Sequence, residues 1–212
     1  MARCDDVNDT GSGRSDELGA VNNNGSTPVL IGDSWGVGMA KHFKGVSQAI
    51  GGSGTVSPKG ESAVDQITKY LKGGSDPKFI LVHTGVNYGE NNIKNNGYEK
   101  IIKACNGKPV YFMQQQKNCW THACKNGDLH SEKLIKKLND HIKSVCSKFS
   151  NASFIDINAN GFNTADNNYA AFGSCPDCNG SSDGKGLHPT STGYKGLLGA
   201  ALKALGQTSY LK

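Results

Sequence analysis

The chain predicts an α/β fold of three layers, α/β/α, on a five-stranded, mainly parallel sheet. Three observations carry this. Short apolar runs alternate along the chain with longer stretches of helical periodicity, the pattern of βαβ units. The strongest run, KFILVHT at residues 78–84, is continuously apolar rather than alternating, as in a strand covered on both faces. The 212 residues are enough for one sizeable core and too few for two comfortable domains.

The elements follow in order. Val29 to Gly32 is a short apolar strand, and Val37 to Phe43 reads as the helix after it. Gly54 to Ser57 reads as a short second strand. Ser62 to Leu71 carries Ala63, Val64, Ile67, Tyr70 and Leu71 at helical spacing. Lys78 to Thr84 is the third strand, Tyr98 to Ala104 a helix, and Lys108 to Met113 the fourth strand. Ser131 to Phe149 is the longest amphipathic stretch, with Leu134, Leu138, Ile142 and Val145 on one face. Ala152 to Ile157 gives the fifth strand and Thr190 to Leu205 a closing helix. The segments from about 114 to 130 and from about 158 to 187 are long, polar and irregular, a length that in a compact domain marks functional or disordered loops.

Composition narrows the function classes. Hydrophobic residues make up 36% and charged residues 19%, with 28 glycines and a formal charge of +5. The lysines are scattered rather than interleaved with aromatics, which argues against a nucleic-acid partner. No apolar stretch is long enough to span a bilayer. Residues 1–27 lack an apolar signal-peptide core and read as a flexible leader, or the scar of a fragment of a larger polypeptide or assembly, ahead of a single domain over 28–212.

The seven cysteines are an odd number, and Cys4 in the leader is the natural one left over if the others bridge. The close pairs Cys119/Cys124 and Cys175/Cys178 fall in Gly/Asn-rich segments. Disulfides stapling the long loops lead, and such usage suits an extracellular, virion or cell-surface setting. A structural zinc held by those four cysteines and plain reduced thiols are the alternatives.

In an open parallel sheet, reactive residues gather at the carboxyl ends of the strands. The first strand ends in Gly32-Asp33-Ser34, the second near Ser57-Pro58-Lys59-Gly60, the third in Thr84-Gly85-Val86-Asn87, and DGKGLHPTSTGY places His188 just before the last helix. All four should face one crevice. A serine nucleophile needs a base, for which His188 leads, and donors for the oxyanion. The backbone N–H groups of Ser34 and Gly60 and the side-chain amide of Asn87 are the candidate donors. Taken alone, Ser34 and Asn87 would read as turn residues, Asp33 as a cap or brace, and His83, His122 and His130 as a strand, a loop and a helix-start histidine. A dinucleotide site is disfavoured, because GDSWGVG has neither G-x-G-x-x-G nor a P-loop lysine.

These residues resemble the SGNH branch of the GDSL hydrolases: Ser34 in GDSW, Gly60 in KGES, Asn87 in GVN and His188 in GLHP, in the family's order, over roughly residues 28–205. The resemblance implies a flavodoxin-like fold and ester hydrolysis through an acyl-serine, without a metal or other cofactor. One departure stands out. The aspartate that the family usually carries three residues before the histidine is replaced by Lys185, and Asp183, five before, is the nearest candidate to orient His188. Tyr88 also stands where an aspartate often follows the asparagine.

The expected function is therefore a serine esterase acting on small-molecule or glycan esters, with an O-acetyl group on a carbohydrate as the leading substrate. That preference rests on the family and on the polar loops bearing Trp120, Tyr169 and Phe172. The competing expectation is a glycan-binding or structural module of a larger surface or virion protein in which catalysis is weakened or lost.

Overall fold

A computed structural model of the chain describes residues 27–56, 61–116, 131–162 and 188–212. All but the last residue of the expected leader over 1–27 lies outside that set. The strands are β1 (Val29–Gly32), β2 (Val46–Ser47), β3 (Ile80–His83), β4 (Val110–Met113) and β5 (Ala152–Ile155). They form one sheet in the order β2-β1-β3-β4-β5, and every pairing is parallel. The α/β fold and its five-stranded parallel sheet stand as expected. The helices are α1 (Ser34–Ala40), α2 (Ala63–Lys72), α3 (Asn91–Lys94), α4 (Gly97–Ala104), α5 (Glu132–Cys146) and α6 (Ser191–Ala204). None of the described helices is long and apolar enough to cross a membrane.

Successive residues of a strand point to opposite faces, and the two cores divide accordingly. Val29, Ile31, Ile80, Val82, Val110 and Phe112 pack with residues of α2, α4 and α5. Leu30, Leu81, Met113 and Ile155 pack on the other face with α1 and α6. Both faces of the sheet are thus covered along the inner strands β1, β3 and β4, which is why these are short apolar runs rather than alternating ones.

Caps fix where the helices begin. Ser62 and Asp65 form a reciprocal capping box on α2, with Asp65 N–H donating to Ser62 Oγ at 3.2 Å and Ser62 N–H to Asp65 Oδ2 at 3.0 Å. Ser131 Oγ accepts from Leu134 N–H at 3.2 Å at the head of α5, and Thr190 Oγ1 from Gly193 N–H at 3.3 Å at the head of α6.

Three expectations need correction. The first helix starts at Ser34, not Val37, because Asp33 caps it. The second strand is Val46–Ser47, not Gly54–Ser57: within the described residues 54–56, Gly54 and Thr55 offer their carbonyls to the Ala63 and Val64 amides of α2. Thr55 is buried, yet its N–H and Oγ1 bond Asn92 Oδ1 at 3.0 and 2.7 Å rather than a neighbouring strand. Finally, Cys105 and Cys146 are both buried free thiols, so a fully bridged set with only Cys4 left over does not apply. Burial pushes the Cys105 thiol up to about 12 and the Cys146 thiol up to about 11, which keeps both protonated and unreactive. The disulfide and zinc readings of Cys119, Cys124, Cys175 and Cys178 fall outside the described residues.

Candidate active site

The site starts from a strand end that only glycine fits. A Cβ on Gly32 would lie 2.4 Å from the backbone carbonyl oxygen of His83, its partner on β3. Backbone cannot swing aside as a flexible side chain can. Gly32→Ala is therefore expected to destabilise the fold by about 1–3 kcal/mol, the range for overpacked sites, read as a lower urea midpoint at constant slope.

The Gly32 peptide is then clamped. Its N–H donates to Gln66 Oε1 at 3.0 Å. Its carbonyl accepts from Gln66 Nε2 at 3.0 Å, from Ser53 Oγ at 2.9 Å and from the Ile50 amide at 3.0 Å. Gln66 and Ser53 are buried, so these bonds form where water does not compete and leaving any of them unmade would be costly.

One residue on, the buried Asp33 accepts Trp35 N–H at 3.0 Å through Oδ1 and opens α1. Asp33 is thus a cap, as expected. Capping at Asp33 puts Ser34 in the first position of the helix, half-buried at the carboxyl end of β1. Trp35 stacks on the ring of the buried His83 (centroids 5.3 Å apart, planes 3° apart) and meets Tyr194 of α6 edge-on at 6.3 Å. A Cβ on Gly38 would fall within 2.2 Å of the Tyr194 ring, so α1 and α6 lie in direct contact. That contact brings the residues before α6 over the start of α1. His188 Nε2 lies 2.8 Å from Ser34 Oγ, although 154 residues separate them in sequence.

Asn87 sits on the turn after β3. Its Nδ2 donates to the Ser53 carbonyl at 2.9 Å, so the residue that braces Gly32 also holds the Asn87 amide. Asn92, almost fully buried, ties the turn down through bonds from Nδ2 to the carbonyls of Gly85 and Gly89. Tyr98 Oη donates to the Thr84 carbonyl at 3.4 Å. Burial, and then the negative charge of Asp33, raise the Tyr98 phenol above its ordinary range, so it stays a donor at any working pH.

The structure thus brings Ser34 and His188 together and fixes Asn87 to the same strand end. Gly60 and Asp183, with Lys185 and the loops bearing Trp120, Tyr169 and Phe172, lie outside the described residues, as do His122 and His130. Sequence reasoning missed Gln66, Ser53 and Asn92. Gln66 carried a signal: it lies beside Ala63 and Ile67 on the buried side of α2, where an uncharged polar residue needs a partner.

The five-stranded parallel sheet in this order, with helices on both faces, is a fold that the chain shares with solved GDSL lipases and acylhydrolases. No family model and no curated protein matches the chain. Solved structures do. The C-terminal catalytic domain of peptidoglycan O-acetyltransferase A from Streptococcus pneumoniae is similar with a TM-score of 0.58 at 16% identity, over 88% of this chain and 96% of that one. A lipase/acylhydrolase from Enterococcus faecalis is similar with a TM-score of 0.55 at 17% identity, over 87% and 96%. A carbohydrate esterase family 3 protein from Talaromyces cellulolyticus is similar with a TM-score of 0.53 at 15% identity, over 85% and 97%.

Proposed function

We propose that the protein is a serine esterase that cleaves carboxylic esters through an acyl-serine intermediate, with O-acetyl groups on carbohydrate as its leading substrates. The observation that carries this reading is the 2.8 Å approach of His188 Nε2 to Ser34 Oγ, a distance at which the imidazole can take the hydroxyl proton directly. Ser34 Oγ attacks the acyl carbonyl as its proton passes to Nε2. The tetrahedral oxyanion is held by the backbone N–H of Ser34, the backbone N–H of Gly60 and the Asn87 amide. The protonated His188 then gives its proton to the leaving alkoxide, which departs as an alcohol. Water attacks the acyl-serine with His188 as base, releasing the acid and restoring the hydroxyl.

Asn87 suits the donor role because its amide has two N–H bonds. One is spent on the Ser53 carbonyl, which orients the group, and the other is left for the oxyanion. The carbohydrate preference draws on the fold shared with a carbohydrate esterase and a peptidoglycan O-acetyltransferase.

With Nε2 of His188 facing Ser34, Nδ1 is the atom that an orienting acid would hold, and Asp183 is that acid in this reading. Asp183→Asn should lower kcat on p-nitrophenyl acetate by about 10⁴-fold if the carboxylate fixes the tautomer, as in serine triads. A loss of only a few fold would hand the role to a backbone carbonyl or another acid. The whole reading is tested by mixing enzyme with excess p-nitrophenyl acetate: a burst of p-nitrophenol should appear, with one acetyl group on the peptide that contains Ser34. Hydrolysis without such an adduct would overturn the covalent route, and no hydrolysis would leave the chain as a binding module.

A further inference from the structure

A second histidine–serine contact lies beside the first. His42, just past the end of α1, has Nε2 3.0 Å from the Oγ of Ser191, the first residue of α6. Ser191 is three residues beyond His188. Three exposed lysines converge there from separate parts of the chain. Lys41 precedes His42 in sequence. Lys195 stands one helical turn from Ser191 on the same face of α6. Lys212 is held by its backbone N–H donating to the His42 carbonyl at 2.8 Å, next to the bridge between Phe43 and Leu211.

Four lysines elsewhere have carboxylate partners: Lys94 and Lys137 with Glu90, Lys108 with Asp76, Lys136 with Asp140, while others such as Lys100 and Lys203 stand apart from the cluster and have none among the described residues. Among the described residues no carboxylate pairs with Lys41, Lys195 or Lys212. Their shared field reaches His42: desolvation, then the charges of Lys195 and Lys212 and more weakly that of Lys41, hold its imidazole below the ordinary range. Gathering unpaired like charges carries an electrostatic cost that an anion would relieve.

We propose that Lys41, His42, Ser191, Lys195 and Lys212 form an anion-binding surface that holds the charged groups of an acylated anionic polysaccharide while its ester lies at Ser34. The substrate part of this rests on the esterase reading above. Spacing supports it: the seven residues of α1 at about 1.5 Å each place the surface roughly 10 Å along from Ser34, a gap that a polymer bridges and a lone acyl ester does not. The neutral imidazole and the serine hydroxyl offer hydrogen bonds between the ammonium groups, which suits carboxylate or phosphodiester oxygens on a hydroxyl-rich chain.

The test separates binding from catalysis. Ser34→Ala protein is titrated with an O-acetylated uronic acid polymer, an O-acetylated phosphodiester-linked glycan and a neutral O-acetylated polysaccharide, at low and high salt. At low salt an anionic polymer should bind about tenfold more tightly than the neutral one, an advantage that salt screens away. Preference between the first two polymers names the anion. The double replacement Lys41→Glu, Lys195→Glu should erase the advantage, and in the Ser34 protein should lower the ratio of kcat/KM on anionic to neutral polymer by the same factor. Equal binding of charged and neutral polymers, no effect of charge reversal, or equally tight binding of double-stranded DNA would overturn the proposal. Tight, charge-dependent binding without any acetate release would sink the esterase reading alone and leave the surface standing as a binding site for that polymer.

Discussion

Replacing Ser34 by alanine should lower kcat on p-nitrophenyl acetate by about 10⁴-fold or more, the scale on which a serine nucleophile works. The fold should survive the change. Ser34 is the first residue of α1, but the cap of that helix is the Asp33 carboxylate, which alanine at position 34 leaves in place. Alanine also loses nothing in helix propensity. The circular dichroism and urea midpoint should therefore stay close to the parent, while the burst of p-nitrophenol and the acetylated peptide disappear. His188→Ala should cost about as much, and the double variant little more than either single one, because a nucleophile and its base act as a unit. Parent-like turnover in Ser34→Ala would show that the 2.8 Å contact with His188 is a helix-start hydrogen bond and nothing more.

The contrast between what the sequence disclosed and what it hid follows from how each residue acts. Strands β1, β3 and β4 were legible because both sheet faces are covered there and each strand is an apolar run, whereas β5, at the sheet edge with Ser153 exposed, carries less of that pattern. The two-residue β2 was not legible: Val46 and Ser47 pair only with Val29 and Leu30 at the sheet edge, too short a stretch to print a pattern. Ser34, Asn87 and His188 stood out because they are reactive or polar residues at element ends, where a parallel sheet collects its chemistry. The bracing groups did not. Gln66, Ser53 and Asn92 act through long-range hydrogen bonds to backbone atoms, spanning 34 residues from Gln66 to Gly32, 21 from Ser53 to Gly32 and 37 from Asn92 to Thr55. No local spacing encodes a contact of that kind. The surface around His42 was hidden for the same reason, since Lys41, Lys195 and Lys212 look scattered until the fold assembles them.

Asn87→Ala should lower kcat on the same ester by about 10²–10³-fold, the usual cost of one oxyanion donor, with KM moving far less. The distinction between donor and turn residue is experimentally sharp. Asn87 Nδ2 donates to the Ser53 carbonyl, so alanine also removes that bond, and the stability loss expected from it is about 1–3 kcal/mol. If Asn87 were only a turn residue, the loss would end there, and kcat measured well below the melting transition would stay near the parent value. As a donor aimed at developing charge, it acts on the transition state more than on bound substrate, and kcat falls at temperatures where the protein is fully folded. Asn87→Asp sharpens the comparison further. It keeps the size of the side chain but replaces both N–H bonds with an acceptor and sets a negative charge where the oxyanion forms. Its kcat should fall below that of Asn87→Ala, an order that loss of packing alone would reverse.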